Sequence, residues 1–168
     1  RVIVAFGSGF GDVGSYFKGH DDYLASARVW NYFWAQPAHN AAAKKYLESN
    51  APSTEGVPAR PTEFAPDSPE RERAAAKWDA YWAPQSDELK KFVDEFSKIE
   101  SMTIGDDVAT DKLSVIRTKA KARKALMDRY GCPVPPWESV SSGFLWNLPN
   151  GPAAQITMLL GTHGVSYA

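Results

Sequence analysis

Among 168 residues there is one cysteine, Cys132, and there are three histidines, His20, His39 and His163. A single cysteine excludes an intrachain disulfide framework and a cysteine-based zinc site. It fits a reducing compartment. The histidines stand far apart, so no nucleophile–base pair and no set of metal ligands appears at a recognisable spacing. No apolar run reaches the roughly 18 residues that a membrane-spanning helix needs. The formal net charge of −1 gives no global attraction to nucleic acid or membrane. No segment sustains the period-2 alternation of a half-buried strand, and no internal repeat is present.

What the chain does have is six tryptophans and twelve prolines, on an apolar fraction of 43% and a charged fraction of 23%. Those fractions are ordinary for a soluble globular protein, and the length fits one domain with extensions. The first residue is Arg1 rather than Met, as expected where an upstream targeting segment has been cleaved or residues have been trimmed.

The pattern predicts a mainly α fold: a small helical domain with a central antiparallel helical hairpin and long proline-rich extended segments. Residues 1–20 read as a glycine-rich extended segment, 21–130 as the helical domain and 131–168 as a proline- and tryptophan-rich extension. Asp21 or Asp22 is placed to cap a first helix over roughly 22–35, where Tyr23, Ala27, Trp30 and Trp34 recur at helical spacing. Pro37 interrupts it. The alanine- and lysine-rich run over 38–49 reads as a second helix ending near Asn50. Five prolines between 51 and 69 predict a strap over 51–67, extended and suited to lying along a partner. Ser68-Pro69-Glu70 reads as a helix start, with the helix running to Trp82 before Pro84. Ser86 caps the next helix, with Leu89, Phe92, Val93, Phe96 and Ile99 as its apolar stripe. A helix over 111–130 follows, ended by Gly131. In the hairpin, Leu113, Ile116, Ala120 and Met127 are expected against that stripe.

Several short patterns invite a chemical reading. Gly9-Phe10-Gly11-Asp12-Val13-Gly14 fits G-x-G-x-x-G after an apolar start, but no further strands follow to build a dinucleotide-binding sheet. Gly7 and Gly11 form G-x-x-x-G in a stretch too short to span a bilayer. Val2, Ile3, Val4 and Phe6 remain candidates for peripheral membrane contact. Cys132-Pro133 matches the Cys-Pro dipeptide of heme-regulatory sites, a two-residue match that a small buried cysteine explains equally well. His20-Asp21-Asp22 cannot all face one ion, and His163 has no acid partner in the sequence. No catalytic residue, metal ligand or cofactor site is assigned.

Seven basic residues between Lys112 and Arg129 could meet phosphates. The acids of the preceding helix offer them partners within the hairpin instead, and nucleic acid is disfavoured as a partner. The first helix is aromatic nearly all round, so one of its faces needs cover. The expected function is therefore a non-catalytic accessory or structural subunit of a larger protein assembly, with an organellar membrane complex such as a mitochondrial one as its setting. Other protein subunits are its partners, contacted through Trp30, Trp34, Phe64, Trp137 and Trp146. Two rivals stand beside it: a small enzyme whose site is formed by distant residues, and a nucleic-acid-binding module using helix 111–130.

Overall fold

The computed structural model describes residues 13–49, 55–102 and 109–139. Among these residues there are six α-helices and no strand, so the chain is mainly α, as the pattern predicts. It divides into two compact units, one of residues 27–134 and one of 1–26 with 135–168. In the second, the described residues are the start of α1 and the short helix α6, Pro136–Ser139, in which Pro136 is buried and Trp137 is 46% exposed.

Helix α1 runs from Val13 to Ala35. It begins nine residues before the predicted start, and the extended reading of 1–20 fails over 13–20. Gly14 and Gly19 lie inside it, because a glycine costs a helix only about 1 kcal/mol and no proline stands near. Asp21 and Asp22 are therefore exposed mid-helix residues, not caps. The chain turns at 36–39 and α2 follows over Ala41–Glu48, with Asn40 as its N-cap.

The strap folds back on its own chain. Its described part holds a 3₁₀ turn over Pro61–Glu63 that contacts α3, Pro69–Trp82. Val57 packs against Trp78 and Trp82. The Arg60 guanidinium lies 5.3 Å from the centre of the Tyr46 ring. At the predicted start of α3, Ser68 Oγ accepts from the Arg71 amide at 3.2 Å and Pro69 takes the first helical position. Ser86 caps α4, Asp87–Glu100, in the same way.

Helices α4 and α5, Ala109–Tyr130, form the antiparallel hairpin. The register is set by Arg129 and Tyr130 on Glu95, and by Arg123 and Lys119 on Glu100. Higher numbers on one helix thus meet lower numbers on the other. Part of the basic helix's charge is met within the hairpin as expected, Arg123 by Glu100 and Arg129 by Glu95, at about 0–1 kcal/mol per exposed pair. The apolar register differs from the expectation. Leu126 is buried in a cluster with Phe92, and Phe96, Ile99, Tyr130 and, as expected, Met127 pack against that cluster. Leu113, Ile116 and Ala120 face solvent. Ala122, Leu126 and Tyr130 lie roughly a third of a turn around α5 from Leu113 and Ile116, and that face meets α4.

Two aromatic clusters form the core of the 27–134 unit. One joins Trp30, Trp34, Phe92 and Leu126, with Trp30 edge-on to both Trp34 and Phe92 at 5.5 and 5.4 Å. The other joins Ala35, Ala43, Trp78 and Trp82. Phe92 is fully buried and Phe96 only half so, because Phe92 points at α1 whereas Phe96 lies towards the hairpin's edge, where Arg123 covers its ring.

Candidate functional site

Two buried polar side chains shape the middle of the 27–134 unit. Asn40 Nδ2 donates to the carbonyls of Trp34 and Trp82 at 3.2 and 2.8 Å, and its Oδ1 accepts from the Ala43 amide at 3.0 Å. One side chain thus closes the ends of α1 and α3 and the start of α2, where helices leave backbone groups unpaired. Ser86 Oγ donates to the His39 carbonyl at 2.6 Å and accepts from the Leu89 amide at 3.1 Å.

His39 stacks on Phe33, with ring centres 4.1 Å apart, and its Nδ1 lies 3.0 Å from Glu88 Oε2. Ser86, His39 and Glu88 resemble a nucleophile, base and acid by composition only. The Ser86 hydroxyl is fully buried and both of its hydrogen bonds go to backbone. Among the described residues no hydrogen bond joins it to the imidazole, as a nucleophile would need.

An open groove of about 670 Å³ lies between the end of α1, the strap and α3. Tyr32, Pro61, Pro66 and Trp78 supply its apolar surface, and Asp67, Arg71, Glu72 and Asp79 its charges. Tyr32 is 58% exposed, large for an aromatic on a central helix. Asp67 adopts the left-handed backbone at φ 58°, a conformation that aspartate tolerates better than most residues. Among the described residues, the side chains of Asp67, Arg71, Glu72 and Asp79 make no ion pair. Burial pushes the Asp79 carboxyl up to about 6, because nearby protein replaces the water that stabilises its charge. Asp79 is not singled out by any motif in the sequence. The available signal was an acid on a helix next to Trp78 and one turn before Trp82.

That shift has a consequence for stability. The native state holds the Asp79 proton more tightly than the unfolded chain, whose carboxyl titrates near 3.8. Ionised Asp79 therefore destabilises the fold, and the penalty grows as pH rises from about 4 through 6. Asp79→Asn should raise the unfolding free energy at pH 7 by about 1–2 kcal/mol, a value discounted for the partial solvation of the carboxylate. The gain should vanish near pH 4. Urea melts at the two pH values check this, and an equal effect at both would mean that the carboxylate is fully hydrated.

The remaining candidates separate in space. His39 is not among the residues lining the groove, so the histidine–carboxylate pair and the perturbed carboxylate do not form one site. His20, Asp21 and Asp22 diverge along α1. Among the described residues no group of three or more His, Cys, Asp or Glu side chains could hold a metal ion. No helix there is long and apolar enough to cross a membrane. Burial pushes the Cys132 thiol up to about 11, which disfavours the thiolate that iron ligation requires. Trp30 and Trp34 lie in the core, 5% and 0% exposed, so the cover they need comes from the chain itself. That removes the reason for placing them at a partner surface. Phe64 is half-buried in the strap. Trp146, His163 and the apolar residues Val2, Ile3, Val4 and Phe6 lie outside the described residues, as do Gly9 and Gly11.

No family model, characterised protein or solved structure matches this chain.

Proposed function

We propose that the chain is a non-catalytic accessory subunit of a larger protein assembly. The observation that carries this reading is the outward face of α5. Leu113 and Ile116, one turn apart, are 61% and 60% exposed, with Ala120 exposed on the next turn. Such a ridge on a helix already packed on its other side gains about 1.5–3 kcal/mol for each large side chain that a partner covers. Exposed Arg117 and Lys121 flank the ridge without an ion pair among the described residues, so an acidic partner surface suits it. The nucleic-acid reading draws less support, since Lys119, Arg123 and Arg129 are turned to α4.

The test is the size of the endogenous particle. In an extract of the native source, size-exclusion chromatography should place the chain well above its own 18.5 kDa. A Leu113→Glu/Ile116→Glu variant should elute near the monomer while its melting curve stays within about 0.5 kcal/mol of wild type, as exposed substitutions do. A wild-type chain that elutes as an 18.5-kDa monomer would sink the reading.

A further inference from the structure

We propose that the groove between α1, the strap and α3 receives a lysine or arginine side chain borne on a partner protein, its cation beside Asp79 and its methylene stem against Tyr32. This rests on the accessory-subunit reading for the source of the side chain, and on the groove itself for the chemistry.

Three observations converge on a cation. Three carboxylates, Asp67, Glu72 and Asp79, face the groove against one guanidinium, Arg71. An anionic ligand would meet repulsion from most of the groove's charge. The carboxylate of Asp79 is partly buried and has no counter-ion among the described residues. A cation placed there offsets the loss of hydration that burial imposes. Tyr32 offers an exposed ring beside these acids. Such a ring suits the aliphatic stem of a long basic side chain, or the face of a guanidinium.

The kind of cation follows from spacing and shape. The carboxylates do not form a set that could hold a metal ion, so compact divalent ions are a poor fit. Lysine and arginine carry their charge at the end of a long stem and can span an apolar wall and an acid together. The groove is open along its length, which admits a side chain still attached to its backbone. A second copy of this chain is the competing occupant, because α5 carries Arg117 and Lys121 outward.

The experiment uses the full chain, ¹⁵N-labelled, titrated with N-acetyl-arginine methylamide and N-acetyl-lysine methylamide. N-acetyl-citrulline methylamide serves as the neutral isostere of arginine. The cationic probes should shift the Trp78 indole and the amides of Tyr32 and Asp79, with affinities in the millimolar range typical of one side chain. Citrulline should bind at least about fivefold more weakly, since it lacks the charge. Asp79→Asn should abolish the preference for arginine over citrulline, and Tyr32→Ala should weaken both probes. Affinity for arginine should tighten about tenfold from pH 5 to pH 7 as Asp79 ionises near 6. The other charged or titratable groups that face the groove are Asp67, Arg71, Glu72 and Tyr32.

Absence of shifts at these three residues would overturn the proposal, as would equal binding of arginine and citrulline. Concentration-dependent shifts without probe, at Arg117, Lys121 and the groove together, would assign the groove to a second copy and overturn the partner-borne source. The two readings fail separately. A monomeric endogenous chain that still prefers arginine keeps the cation site and loses the assembly. A large endogenous particle with no arginine preference does the reverse.

Discussion

Trp34→Ala should lower the unfolding free energy by about 3–5 kcal/mol, the range for emptying a large aromatic site in a packed core. Trp34 is fully buried and its ring meets Trp30, Phe33, Phe92 and Tyr130 with centres 4.9 to 6.1 Å away. Total stability for a domain is only about 5–15 kcal/mol, so the loss takes a large part of it. Trp34→Phe separates the ring from its polar atom. Among the described residues the buried Trp34 Nε1 donor has no hydrogen-bond acceptor, and an orphaned donor costs about 1–3 kcal/mol. Phenylalanine loses some contacts but removes that donor, so its net cost should stay near about 1 kcal/mol. Urea midpoints at constant slope measure both. A Trp34→Ala variant that melts like wild type yet fails to assemble would return Trp34 to the partner surface.

Asn40→Ala should cost about 3 kcal/mol or more, although it removes only a small side chain. The residue is 1% exposed and makes three hydrogen bonds to backbone groups at three helix ends. Alanine leaves two carbonyls and one amide buried without partners, at about 1–3 kcal/mol each before water relieves any of them. Asn40→Asp discriminates further. It keeps the acceptor for the Ala43 amide, but a carboxylate cannot donate to the carbonyls of Trp34 and Trp82. It should therefore be no better than alanine at pH 7 and should recover partly in acid, where a protonated carboxyl donates once. Thermal melts across pH show this. If Asn40→Asp equals wild type at pH 7, the cap to α2 is the only bond that matters.

The part of the hairpin that could be read in the sequence is α4. Leu89, Phe92, Phe96 and Ile99 fall on one stripe and, apart from the exposed Val93, polar residues fill the rest, so only one face can turn inward. On α5 the apolar residues form two stripes. Leu113, Ile116 and Ala120 make one, and Ala122, Leu126 and Tyr130 the other, and periodicity alone does not choose between them. The ion pairs to Glu95 and Glu100 help select the second, and they depend on how far α5 rotates against α4. The start of α1 falls earlier than the sequence predicts for a related reason. Local glycine and aspartate signals favour a break, whereas helix formation is decided over the whole of Val13–Ala35.

Sequence by itself determined the helical class, the capped starts of α3 and α4 at Ser68 and Ser86, and the antiparallel pairing of 86–130. These follow from backbone chemistry and hydrophobic spacing, which act over a few turns. Tertiary structure alone decided that Trp30 and Trp34 serve the core, that the strap covers its own chain, and that α5 turns Leu113 and Ile116 outward. It also made the groove. Tyr32 and Asp79 stand 47 positions apart, and Asn40 bonds the Trp82 carbonyl 42 residues away. Contacts at such separation depend on where helix ends meet, and no local pattern records that meeting. The burial that raises the Asp79 carboxyl comes from the same meeting, since a charge loses its water only when distant segments close around it.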